Sequence, residues 1–329
     1  MGVYKKLKNL LQNQLQLSNA PIEKMAERQL VLEALNLAQS TRSKNHLEGL
    51  KEIEFCAFSQ WGEDGIIDWL VSNIPGITPS FVEFGVGDYK ESNTRLLIQL
   101  SNWRGLILDG SQEHINNIQK EELYWRHDLQ AKRAFIDKDN INQLIQGAGF
   151  SGDLGLLSVD IDGNDYWVWK AIDVVNPMIV VCEFNAILGD QHQLTVPYKK
   201  DFQRSNAHYS LLCFGASLPA LIQLGKEKGY KFVGTASNGC NAFFVREDCY
   251  KAIEDKIKSI WIYPLAAREA RDKYGELSFV SGAERAELIR DMEFVDLNNC
   301  SDEDVRLVRL GDLESLYSTE WNNGLGYKL

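Results

Sequence analysis

The stretch Phe81-Val82-Glu83-Phe84-Gly85-Val86-Gly87-Asp88 decides the fold. An apolar run of strand length ends in an acid and passes at once into Gly-x-Gly. Glycine has no Cβ, so the backbone can turn sharply there and lie close to a ligand. In open α/β sheets, ligands sit beyond the carboxyl ends of the strands. Position 90 is Lys, so the third glycine of a dinucleotide fingerprint is missing. That turns the expectation away from a bound pyrophosphate. Taken alone, the motif also fits a tight strand-to-helix turn.

Working outward from it, apolar or β-branched runs alternate with helical stretches from residue 50 onward. Strands are expected at Ser80–Phe84, Gly105–Leu108, Ala134–Ile136, Gly155–Val159, Met178–Phe184, Lys231–Gly234 and Ala242–Val245. Helices are expected around Glu63–Ser72, Ser92–Leu100, His114–Glu122, Ile141–Gln146, Trp167–Ile172 and Ser217–Lys228. Such alternation predicts an α/β fold with a doubly wound, mostly parallel seven-stranded sheet covered on both faces. Thr235–Asn241 is too short for a helical crossover, so the last two strands form an antiparallel hairpin.

Around this unit the sequence predicts an N-terminal helical arm (1–50), a central domain (51–249) and a C-terminal helical extension or lid (250–329). In the arm, Val3, Leu7, Leu10, Leu11 and Leu15 share one helical face. Pro21 suits the first turn of a second helix, with Val31, Ala34, Leu35 and Ala38 as its stripe. Thr41–His46 reads as a linker. The stripes would pack on the main domain or on a second subunit or assembly partner. Alternatively, with Lys5, Lys6 and Lys8 at its start, the arm would contact a membrane interface.

The composition narrows the class. Net charge is −11, against broad nucleic-acid binding. No apolar run approaches membrane-spanning length. Polar residues interrupt the N-terminal leucines, as a signal peptide would not. Six cysteines are scattered without a C-x-x-C pair. The expectation is a cytoplasmic protein in a reducing setting.

Two further strand ends carry acids. Leu106-Ile107-Leu108-Asp109-Gly110 places a carboxylate where it can accept both hydroxyls of a ribose; a turn or helix-capping role is the plainer possibility. Ser158-Val159-Asp160-Ile161-Asp162-Gly163 and Cys182-Glu183-Phe184-Asn185 end the next two. Asp160, Asp162, Glu183 and Asn185 could hold a hard cation such as Mg²⁺, which would lower the pKa of a substrate hydroxyl. Otherwise Asp162 caps the next helix and Asp160 only receives a hydrogen bond.

These residues, as an ordered set, resemble the class I S-adenosylmethionine-dependent methyltransferases, particularly the FkbM-like branch that often accompanies surface-polysaccharide genes. The shared features begin with Ser59-Gln60-Trp61-Gly62-Glu63-Asp64-Gly65, Glu83-Phe84-Gly85-Val86-Gly87 and Asn93-Thr94-Arg95. They continue with Trp103-Arg104-Gly105, Asp109-Gly110-Ser111 and Asp160-Ile161-Asp162-Gly163. The resemblance spans roughly 55–246. It implies S-adenosylmethionine as cofactor, with Glu83, Gly85 and Gly87 around its methionine part and Asp109 on its ribose. FkbM-type members usually have Asp-Val-Glu-Gly where this chain has Asp160-Ile161-Asp162-Gly163.

Candidate cofactor-binding residues are therefore Gln60, Glu83, Gly85, Gly87, Asp109, Gly110 and Asp160. Ser59–Gly65 would form a cofactor lid or simply start a capped helix. Asp128 or Asp137 would meet the adenine amine. Methyl transfer to a hydroxyl needs alignment and a base. His208, Asp160 and Glu183 are the catalytic candidates, with His192 as the other histidine of the 186–214 insertion. Asp160, Asp162 and Glu183 are the metal candidates. Lys199, Lys200 and Arg204 would bind an anionic substrate group, and Thr235, Asn238 and Asn241 would contact the rim. The expected activity is O-methylation of a sugar or surface-glycan intermediate. The alternatives are a metal-dependent glycosyltransferase using Asp160-x-Asp162 and a non-catalytic cofactor-binding scaffold.

Overall fold

The structure is a computed structural model. It describes residues 2–264, 270–299 and 305–329, with residues 2–20, 23 and 299 described by backbone alone. The central sheet comprises β1 (Ser80–Phe84), β2 (Arg104–Asp109), β3 (Leu129–Arg133), β4 (Gly152–Val159), β5 (Val175–Glu183), β6 (Tyr230–Thr235) and β7 (Asn241–Arg246). Its order is β3-β2-β1-β4-β5-β7-β6. Only β7 runs antiparallel to its neighbours. This is the doubly wound, Rossmann-like architecture the sequence predicts, closed by the expected hairpin.

The helices are α1 (Gly2–Arg42), α2 (Glu63–Asn73), α3 (Arg95–Ser101), α4 (Gln112–Ile118) and α5 (Glu122–Arg126). They continue as α6 (Ile141–Gln146), α7 (Asp165–Ala171), α8 (Arg204–Ala207) and α9 (Leu218–Glu227). Successive side chains of a strand face opposite sides, and the two cores follow that alternation. Val82, Phe84, Leu106 and Leu108 pack with Ile141, Val168, Trp169 and Leu221 of α6, α7 and α9. Phe81, Ile107, Leu156 and Ile179 pack with Ile66, Trp69, Leu97 and Ile115 of α2, α3 and α4. Each fully buried large side chain contributes about 1.5–3 kcal/mol. Because β1 to β5 run parallel, their carboxyl ends lie together on one rim.

Two expectations about elements are corrected. The third strand is Leu129–Arg133, not Ala134–Ile136. Leu129 and Ala131 alternate with Gln130 and Lys132, the pattern of an edge strand with one buried face. The more apolar Ala134–Ile136 follows the strand instead. The arm is one helix with Pro21 inside it and no linker before Arg42. Thr41 Oγ1 donates back to the Leu37 carbonyl at 3.1 Å, and Arg42 grips Asp68 through two bonds of 2.8 and 2.5 Å. These contacts carry the helix into the segment expected as linker. Ala34 and Ala38 are buried against Phe55, Phe58 and Leu96, so this stripe packs on the main domain. The side chains of Val3, Leu7, Leu10, Leu11 and Leu15, and Cys300, lie outside the described residues.

The extension carries strands as well as helices. Glu293–Asp296 pairs with Leu307–Arg309 on one side and with Leu194–Thr195 of the insertion on the other. Leu188, Leu194, Val196 and Leu212 share a core with Ile289, Phe294 and Leu310. The insertion and the extension thus form one lobe. It meets the sheet rim where Gly215 donates to the Gly163 carbonyl at 3.1 Å. Among the described residues, no helix is long and apolar enough to cross a membrane.

Arg42→Ala leaves the buried Asp68 carboxylate without its cation. The loss expected in chemical denaturation is about 2 kcal/mol, together with faster proteolytic cleavage within 21–42. An unchanged denaturation midpoint would assign the anchoring of the helix to Ala34 and Ala38 alone.

Candidate active site

The chain leaves β1 through two left-handed glycines, Gly85 (φ 70°) and Gly87 (φ 54°). They do different work. The Gly85 amide donates to the Leu108 carbonyl at 3.0 Å. A Cβ on Gly85 would lie 1.8 Å from the Asp160 carbonyl, so only glycine lets the ends of β1 and β4 meet. A Cβ on Gly87 would meet nothing within 4 Å, because that face looks into open space. The Gly87 amide donates to Asp109 Oδ2 at 2.9 Å. The Ser111 amide donates to Asp109 Oδ1 at 2.7 Å, and His114 Nδ1 lies 3.1 Å from the same oxygen. The carboxylate at the end of β2 thus holds the glycine loop of β1 and the first turn of α4.

These groups wall a cleft of about 350 Å³. Gly85, Gly87, Asp109, Gly110 and Asp160 all line it, which brings five of the expected cofactor residues together. His114, Phe135, Ile136, Asn164 and Phe202 also line it. The sequence did not single these out for the site. His114 carried a weak signal, five residues after Asp109 in the following helix. Phe135 and Ile136 were hidden by their assignment to a strand.

Glu83 lies beneath the cleft and not on its wall. It accepts from Ser92 Oγ at 2.7 Å, the Asn93 amide at 2.8 Å, the Thr94 amide and the Thr94 hydroxyl. Burial pushes its carboxyl up, opposed by those donors. Its place is to pin the loop that follows the glycines. Gln60 is exposed and does not line this cleft. In the same segment Asp64 Oδ2 takes the amides of Ala57, Phe58 and Ser59, and Ser59 Oγ accepts the Asp64 amide at 3.1 Å. The adenine candidates also part. Asp128 is exposed and pairs with Arg104, whereas buried Asp137 accepts the Asp139 and Asn140 amides and faces Lys200 at 3.5 Å.

At the ends of β4 and β5 the acidic group is Asp160, Asp165 and Glu183, with carboxylate oxygens within 4.8 Å of one another. Asp162, expected in this group, is not a member. Its backbone is left-handed (φ 55°) and its side chain turns to Arg204 at 2.6 Å. That removes the Asp160-x-Asp162 pair on which the glycosyltransferase alternative depended. Asp165 gives Oδ1 to the Ile161 amide at 2.7 Å and Oδ2 to the Gly163 amide at 2.8 Å. Burial raises its carboxyl to about 6. Burial, and then the neighbouring acids, hold Asp160 and Glu183 well above the usual carboxylate range. Asp160 and Glu183 hydrogen-bond to each other, while Glu183 Oε2 is buried with no partner. Asn185 faces elsewhere: its side chain donates to the Leu212 and Phe214 carbonyls and accepts the Ile187 amide.

His208 does not line the cleft. Its Nδ1 bonds Ser210 Oγ at 2.7 Å, and burial lowers its pKa. His192 bonds the Ser315 carbonyl at 2.7 Å and so ties insertion to extension. Two of the three expected anion-binding cations, Arg204 and Lys200, face carboxylates. Arg204 holds Asp162, Lys200 faces Asp137, and the Lys199 carbonyl accepts Asn164 Nδ2 at 2.8 Å. Asn241 Nδ2 donates to Glu63 at 3.0 Å, Thr235 Oγ1 accepts the Tyr263 amide, and Asn238 Oδ1 accepts the Cys240 amide.

No family model matches the chain, and no curated protein matches it. Solved structures loosely similar to it include the N-terminal domain of EvdMO1 with SAH bound, at 12% identity and a TM-score of 0.40, covering 67% of this chain and 95% of that one. A SAM-dependent methyltransferase from Clostridium acetobutylicum ATCC 824 is similar at 11% identity and 0.34, covering 56% and 90%. The CurJ carbon methyltransferase is similar at 10% and 0.38, covering 72% and 70%.

The two glycines separate in a simple test. Gly85→Ala adds a backbone clash to an unfavourable φ and is expected to cost about 3 kcal/mol or more in urea unfolding. Gly87→Ala carries only the φ penalty, about 1 kcal/mol. Equal losses would contradict the close approach of β1 and β4.

Proposed function

We propose that this protein is an S-adenosylmethionine-dependent methyltransferase acting on a hydroxyl of a small-molecule or glycan acceptor. The observation that carries this reading is the shared cleft, in which Gly87 and Asp109 from adjacent strand ends hydrogen-bond to each other along one wall. Asp109 Oδ2 keeps a lone pair beyond the Gly87 amide for one ribose hydroxyl, and the second hydroxyl would take the place of the His114 ring on Oδ1. Phe135, Ile136 and Phe202 offer apolar surface to the adenine. Gly87 leaves room for the methionine part. Bound there, the sulfonium supplies an activated methyl group. The glycan assignment extends the FkbM-like resemblance of residues 55–246, as does a place in polysaccharide biosynthesis in the cytoplasm.

We assign the acceptor's proton to Asp160, which lines the cleft, with Glu183 beside it. A carboxyl pair whose ionisation is raised by burial and mutual repulsion titrates closer to neutrality, where a general base works best. As the acceptor oxygen bonds to the methyl carbon, the C–S electron pair returns to sulfur and the hydroxyl proton passes to the carboxylate pair. This scheme does not require Mg²⁺: the carboxylate pair takes the proton itself, and Asp162, one of the expected ligands, is held by Arg204. His208 is not needed as the base.

Calorimetric titration with S-adenosylmethionine and, separately, a UDP-sugar tests the cofactor. Binding of the first alone is expected. Asp109→Ala should weaken it by about 150-fold or more, the worth of two hydrogen bonds to a charged group. UDP-sugar binding in its place would restore the glycosyltransferase, and cofactor binding without turnover would indicate a scaffold.

Methyl transfer to glycan and nucleotide-sugar pools tests the base. A base must be deprotonated, so kcat/KM should rise with pH through an apparent pKa above the usual carboxylate range. Glu183→Gln should flatten that rise and lower the rate by about 100-fold. Activity is expected to survive EDTA; its loss would return a cation to the acidic group.

A further inference from the structure

Between α1 and the main domain lies a second cavity, about 1000 Å³, far larger than the cleft. Its floor is apolar, from Val31, Phe58 and Leu123, and its wall carries five Lys or Arg side chains against three carboxylates. That excess of positive charge stands out on a chain of net charge −11. The carboxylates are already engaged. Glu27 and Glu121 hold Arg95 at 2.6 and 3.1 Å, and Glu122 is held by Lys24 and Arg126. Arg28 and Lys90 make no ion pair among the described residues.

Large apolar side chains surround this basic face and are open to solvent: Trp125 at 69%, Met25 at 64% and Leu32 at 61% exposure. Helical geometry puts them on one side. Lys24 is bonded to Glu122 of α5 at 2.5 Å, so that flank of α1 faces α5. At 100° per residue, Arg28, then Leu32 and Met25, follow Lys24 around the helix, away from buried Ala34 and Ala38. Trp125 stands on α5 with the Arg126 guanidinium 5.4 Å from its ring. The sequence adds Lys5, Lys6 and Lys8 to the same helix.

We propose that this face docks the protein on an anionic lipid bilayer. Met25, Leu32 and Trp125 enter the interface, and Arg28 and Lys90, the lining cations outside the ion pairs, meet the headgroups. The charge selects the partner. In a two-fold dimer the basic border would face itself and be repelled, whereas an anionic lipid surface is attracted by it. Tryptophan at the patch edge suits the headgroup level, where an apolar ring and a polar N–H are both satisfied. The proposal is independent of the methyltransferase reading. A bilayer-docked enzyme would, however, sit where lipid-carried acceptors are.

The test is co-sedimentation of the full chain with vesicles of phosphatidylcholine alone and of phosphatidylcholine mixed with phosphatidylglycerol. Binding is expected only to the mixed vesicles and should weaken as salt rises. The triple variant Met25→Ser, Leu32→Ser, Trp125→Ser changes only exposed positions, so it should fold normally and bind roughly tenfold less or weaker. The double variant Arg28→Glu, Lys90→Glu should lose binding to the mixed vesicles with its apolar residues intact. No binding by the wild type, or equal binding by the triple variant, overturns the proposal. So does light scattering that shows a dimeric wild type and a monomeric triple variant with vesicle binding unchanged; the face would then be a self-association surface.

Discussion

The carbonyl of Asp160 rests where a side chain of residue 85 would otherwise stand. That contact lets β1 and β4 end side by side, and the rest of the site is arranged around it. On one side, the glycine loop swings over to be held by Asp109. On the other, the chain leaving β4 turns at once so that Asp165 can gather the Ile161 and Gly163 amides. A methyl group at residue 85 would force these ends apart. The cleft and the acidic pair would then lose their common edge, because both are built from the same few residues of backbone.

The rim gathers carboxylates, and each is stabilised differently. Asp109 and Glu83 sit among backbone and hydroxyl donors. Asp165 is similarly served, yet burial still lifts its ionisation to about 6. Asp160 and Glu183 have mostly each other, and burial, then the neighbouring acids, raise the ionisation of both. An inventory of acids would count all five as equivalent oxygen ligands. Their surroundings divide them into three that organise loops and two that mainly face each other.

The lobe formed by the insertion and the extension explains why the basic residues of 199–204 do not stand free. Arg204 and Lys200 bind this lobe to the rim through Asp162 and Asp137, while Phe202 closes against Gly163, where a Cβ would come within 2.2 Å of its ring. Charges that would suit an anionic substrate in an open loop here fasten a cover. Positive charge reappears along α1 and α5, where its neighbours are exposed apolar side chains. A chain acidic overall thus keeps a basic face beside one helix.

The sequence by itself determined the seven strands in outline, six of them in place, and the position of the cleft. Near-continuous apolar runs and glycines at strand ends act locally, through Cβ sterics and burial of each strand's two faces. It also determined which acids end which strands. Only the tertiary structure decided what those acids do. Asp162 and Asp165 lie three residues apart and are chemically alike, but one meets an arginine from a distant insertion and the other meets two amides of its own turn. Pro21 within a continuous helix, and the edge strand shifted to Leu129–Arg133, have the same origin. Contacts between residues far apart in the chain outweigh a local preference worth only a kcal/mol or so per residue.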